Sequence, residues 1–127
     1  MEIAFLIGRI IFGLYLLIMA SIHFFQSDML SGYAASKGLP AAKLSVIVSG
    51  LLLLVSGLSF ITGILPLVGV ISLIVFLLPA AFLIHNFWTV EDEQAKMTDM
   101  TLFMRNIALI GAALMFLGIP IPWPLSL

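Results

Sequence analysis

From Leu44 to Ile84 the chain runs through 41 residues without one charged side chain or histidine. A single helix of that length would reach roughly 60 Å, about twice the hydrocarbon thickness of a bilayer, so the stretch must turn back on itself. Thr62-Gly63-Ile64-Leu65-Pro66 supplies the reversal, with Gly63 suited to ending a helix and Pro66 to starting the next. The expected product is an antiparallel hairpin of two membrane-crossing helices, about 43–63 and 66–88. Pro79 removes one backbone donor from the second of these and is expected to kink it shortly before His85.

Two further runs fit the same length criterion. Ile3 to Phe25 is long enough to cross with a little tilt, and about 102–119 forms a fourth crossing, capped by Thr101 or Asp99 and ended by the prolines of IPIPWPLSL. Nothing basic precedes Arg9 and the first run is too long for a signal peptide, so it reads as a retained helix. Residues 26–42 are expected to be a connection at the lipid–water interface, and VEDEQAKMTDMT a solvated loop. Trp123 reads as an interfacial anchor. The fold class is all-α: an integral membrane up-down-up-down four-helix bundle, with residues 1–127 as one transmembrane domain.

Composition agrees and removes several function classes. The chain is 63% hydrophobic and 9% charged, against about a quarter charged in soluble domains. A net charge of −1 offers no field for nucleic acid. With no cysteine, thiol redox chemistry and thiolate metal sites are excluded, and no metal site is expected. Lys37, Lys43, Lys96 and Arg105 belong to the loop end of the bundle and only Arg9 to the other, so the positive-inside rule puts loops 26–42 and 89–101 in the cytoplasm and both termini outside.

Small residues step along the second helix as Ser45, Ser49, Ser56, Ser59 and Gly63, with Gly50 and Gly57 adjoining, and Ala108, Gly111 and Gly118 mark the fourth. They read as faces where helices approach closely. In the first helix Arg9, Gly13, Leu16, Ala20 and His23 share one face, the least lipid-like one, which should turn inward.

Antiparallel packing gathers His23, His85, Asn86, Trp88, Arg105 and Asn106 at one end, with Lys37 within reach. These groups are suited to the head of a carbonyl-bearing lipophile: His, Asn and Arg donate to its oxygens and Trp88 stacks on its ring. Each has a plainer reading. A histidine near a helix C-terminus satisfies last-turn carbonyls, Trp88 serves as a belt residue, and Arg105 snorkels; Asn106 is harder to dismiss, because an amide in hydrocarbon must find partners. Arg9 stands apart at the other end. It either pairs with Glu2, seven residues earlier on the same face, or binds an anionic or quinone-like head. Haem is not expected, since the chain offers only two histidines and no acid inside the membrane to orient them.

Gly8-Arg9 and Gly13, His23, the Lys37-Gly38-Leu39-Pro40 opening of the second helix, Gly50, Gly57, His85-Asn86-Phe87-Trp88, and Arg105-Asn106 with Gly111 resemble the DoxX family over nearly the whole chain. The resemblance implies a small four-helix protein of a bacterial or archaeal inner membrane. It also implies redox association, since some relatives are quinone-reducing membrane subunits and others accompany soluble redox enzymes. The leading expectation is a subunit that binds quinone through residues such as Arg9, His23, Lys37, His85, Trp88, Arg105 and Asn106 and docks a soluble or membrane redox protein. The alternative is an assembly subunit, in an oligomer or larger complex, without ligand chemistry. A transporter is disfavoured by the lack of intramembrane acids.

Overall fold

The structure, a computed structural model, describes residues 1–127. Five α-helices follow one another: α1 (Glu2–Phe25), α2 (Ser27–Ser36), α3 (Ala42–Thr62), α4 (Pro66–Pro79) and α5 (Glu93–Phe116). Four helical stretches, among them Pro66–Thr89 as a whole, are long and apolar enough to cross a membrane. They form the expected bundle, and the chain is an integral membrane protein. Ile7, Ile11, Leu14, Leu51, Val55, Ile71 and Val75 are exposed on its outside, as lipid-facing residues are, while Leu16, Leu53, Phe60, Leu73 and Leu77 fill the interior.

The inward face of α1 is the one its spacing predicts: Arg9, Gly13, Leu16 and Ala20 are its buried residues. They meet α3 at close range. A Cβ on Gly13 would lie 2.9 Å from the carbonyl oxygen of Gly57, and a Cβ on Gly57 would lie 3.0 Å from that of Gly13, so neither helix tolerates a side chain at the crossing. The α3–α4 hairpin also forms as expected. Gly63 takes a left-handed φ of 76° and caps α3, with its N–H donating to Ser59 O at 2.8 Å, and Pro66 opens α4. Ser59 Oγ donates to the carbonyls of Ile64 and Leu65, and Ser56 Oγ to that of Gly69, so the serines fasten the turn.

Four expectations need correction. Residues 26–42 are not merely a connection, for most of them form α2, whose one buried residue is Ala34. The third crossing is not one kinked helix. After Pro79 it widens into a π turn, Ala80–Ile84, in which His85 N–H reaches back to Ala80 O, and then passes through a 3₁₀ turn, Phe87–Thr89. The fourth helix begins nine residues earlier than expected, because Asp92 caps it by accepting from Ala95 N–H at 2.9 Å; the apparent loop is its first two turns. Trp123 is 2% exposed, no interfacial anchor but part of the core. Residues 117–127 fold back under the bundle, where Trp123 packs on Phe5, Phe60 and Phe116, and Leu127 N–H donates to Thr62 O.

Candidate functional site

The early start of α5 decides the site. It carries Asp99 into the bundle end, where the residue is 5% exposed. Tyr33 Oη donates to Asp99 Oδ1 at 3.0 Å, His85 Nδ1 lies 3.3 Å from the same oxygen, and Lys37 Nζ donates to Oδ2 at 2.8 Å and to Asn86 Oδ1 at 3.2 Å. One carboxylate thus ties the helix α2, the residue that follows it, the broken end of the third crossing and α5 together. Burial, and then the bond to Asp99, push the Tyr33 hydroxyl up to about 12, so it remains a donor at neutral pH. Near the start of α2, Lys43 donates to Asp28 and holds that carboxyl below its ordinary range, but Asp28 is fully solvent-exposed.

Of the residues singled out in the sequence, Lys37 and His85 meet at Asp99. The expectation that no acid orients a histidine from within the membrane fails at His85. With Nδ1–H directed at Asp99, the neutral ring of His85 presents Nε2 as an acceptor. His23 is held differently: its Nδ1 bonds Met19 O at 2.8 Å, one turn back, and its ring stands edge-on to Phe76. Trp88 is half exposed and belongs to a ring cluster, edge-on to Phe87 and Phe103 and tilted against Phe82.

Arg105 and Asn106 form a second polar group on α5. Asn106 is 1% exposed; its Oδ1 accepts from Arg105 Nε and Nη2 at 3.4 and 3.3 Å, and its amide nitrogen donates to no group of the protein. Since Arg105 can only donate, the orientation of the amide is fixed by its neighbour. One cavity of about 70 Å³ lies between α4, the end of α5 and Trp123, and another of about 20 Å³ lies beside Asn106. Both fall well below the roughly 300 Å³ of sites that enclose drug-sized ligands, so neither cavity encloses a volume of that size.

Arg9 does not join these groups and does not pair with Glu2. It is 1% exposed, and its guanidinium donates to the carbonyls of Phe60 at 2.9 Å, Ile61 at 3.0 Å and Pro124 at 2.5 Å, with the rings of Phe5 and Trp123 alongside. It clamps the last turn of α3 to the returning segment.

Asp99 and Tyr33 escaped the sequence reading. The signal for Asp99 was present in Asp92-Glu93, an N-cap with an acid in the first turn, which begins the helix early and puts Asp99 and Asn106 on one face, seven residues apart. No curated protein and no solved structure matches the chain. A family model described as DoxX matches residues 4–86, from α1 through the π turn to Asn86.

Proposed function

The chain belongs to the DoxX family, and on that premise we propose that it is the membrane subunit of a redox-linked assembly. In this reading it holds a quinone or similar carbonyl-bearing lipophile in the loop-ward half of the bundle and docks a partner oxidoreductase at its loop end, on the cytoplasmic side. One observation carries the reading: a buried carboxylate joins a histidine, a lysine and a tyrosine into one hydrogen-bonded group at the end of an apolar bundle. Such a group can take up a proton at His85, because the imidazolium that would form stands against Asp99, a carboxylate it shares with Lys37. His85 Nε2 is then the acceptor for a proton released by a quinol head as the partner withdraws its electrons, and the donor for the return. Trp88 and Phe82, both about half exposed, offer apolar faces to the ring or to the partner.

Purification in mild detergent, followed by mass spectrometry of bound lipids, quinones and proteins, tests this. Enrichment of quinone over bulk lipid, reduced in His85→Ala, is expected. Quinone at no more than its bulk proportion would remove the ligand from the account.

A second reading, the assembly subunit, is favoured by Gly111. It lies inside α5 on an exposed face, and no atom comes within 4 Å of where its Cβ would stand, so nothing within this chain requires it to be small. On that reading Gly111→Leu leaves the chain folded but breaks a larger complex, whereas His85→Ala has no effect.

A further inference from the structure

One side of the bundle is closed by side chains alone. α1 packs closely on α3, α3 on α4 and α4 on α5, whereas α1 and α5 meet through rings such as Phe12 and Phe116, whose centroids are 5.7 Å apart. The cleft beside Asn106 lies in this seam. Leu16, Leu53 and Leu73, all at most 1% exposed, make its floor; Tyr15 and Met19 of α1 and Arg105 of α5 keep access to the outside and make its rim. The opening therefore faces the bilayer, between α1 and α5.

The amide of Asn106 is aimed into it. Its nitrogen has no protein partner, yet no buried side-chain nitrogen or oxygen is sealed off unbonded, so the NH₂ group reaches the cleft. The Tyr15 hydroxyl on the rim makes no hydrogen bond within the protein either. A donor left bare in hydrocarbon is costly, and no bulk water is at hand to satisfy it. At about 20 Å³ the cleft has space for one oxygen-sized group and no more.

We propose that this seam is a lateral binding site for the carbonyl oxygen of a lipid-soluble molecule that enters from the bilayer. The oxygen accepts from Asn106 Nδ2, the free N–H groups of Arg105 lie at the rim, and the body of the molecule rests on Tyr15 and Met19. Met19, unbranched and flexible, is the residue that gives way as the molecule enters. A neutral amide suits a neutral acceptor, which a quinone carbonyl and a phospholipid ester carbonyl both provide. The quinone source rests on the proposed function; the site itself does not.

Photolabelling in nanodiscs separates the two. The probes are a short-chain azidoquinone and a phosphatidylcholine carrying a diazirine near its ester, each with its unlabelled parent as competitor, and adducts are mapped by mass spectrometry. Competable adducts at Tyr15, Met19 or Leu109 are expected. They should fall roughly tenfold in Asn106→Leu, as for the loss of one hydrogen bond in an apolar site, and recover in Asn106→Gln. Met19→Trp, which fills the rim and leaves Asn106 intact, should block labelling even if Asn106→Leu does not fold. Labelling of the cleft by phosphatidylcholine alone would uphold the site and count against the quinone reading. Quinone adducts confined to Lys37, His85 and Trp88 would overturn the site while leaving that reading standing. The absence of competable adducts from either probe, or labelling unchanged in Asn106→Leu and Met19→Trp, would overturn it outright.

Discussion

Asp99 illustrates how a single carboxylate can be kept in an apolar bundle: each oxygen faces a donor, and the one lysine within reach supplies the opposite charge. Removing it strands that lysine. Asp99→Ala is expected to lower stability by about 3 kcal/mol, the scale for breaking one partner of a buried pair, read from thermal unfolding in detergent. Tyr33 gives a pH signature. Its folded value, about 12, lies above the ordinary 10, so its contribution to stability is complete below about pH 10 and is lost as the pH rises through about 12. In Asp99→Ala the Tyr33 titration, followed by phenolate absorbance, should fall part of the way back, since burial raises it as well as the hydrogen bond and charge of Asp99. A titration that stays in place would mean that Asp99 has no hold on the hydroxyl. At this scale the sequence is only partly legible. Lys37, His85 and Asn86 could be brought together because helix ends in an antiparallel bundle must meet. Asp99 could not, because acids in a polar run look like a loop until the cap that starts the helix is found. The surroundings of Arg9 and Trp123 are illegible for another reason: their partners lie more than fifty residues away or in a returning segment that no local pattern announces.

Among the elements, the crossing of α1 and α3 is the tightest. Gly13→Leu or Gly57→Leu would drive a side chain into the opposing backbone, and such variants should fail to fold, seen as loss of a monodisperse peak after detergent extraction. Gly111→Ala meets nothing and removes a helix-interior glycine, so it should raise stability by up to about 1 kcal/mol. If the two classes behaved alike, the crossing would not be where the bundle is held. The small-residue pattern therefore pointed correctly at α3 and ambiguously at α5. Spacing reports that a face is small, while only the packed structure reports what stands against it. The third crossing was half legible: Pro79 announces a disturbance, but whether a helix answers with a kink or a wider turn depends on its neighbours, and here the π turn directs His85 toward Asp99.

The whole molecule has two unlike ends. At one, the returning segment, Trp123 and the Arg9 clamp close the bundle with rings and backbone carbonyls; at the other, α2 lies over a polar group made of residues from four parts of the chain. Number and order of the crossings could be read from hydropathy because hydrocarbon admits so few solutions. The difference between the ends could not, since it rests on how 117–127 folds back and on where α5 starts. The functional account locates ligand chemistry at the loop-ward half and structural closure at the other. Equilibrium binding of a short-chain benzoquinone to the protein in nanodiscs tests this most directly, with the native chain compared with His85→Ala and Asn106→Leu. Saturable binding to the native chain that weakens in both variants is the predicted result; binding that is absent, or that ignores both substitutions, would contradict it.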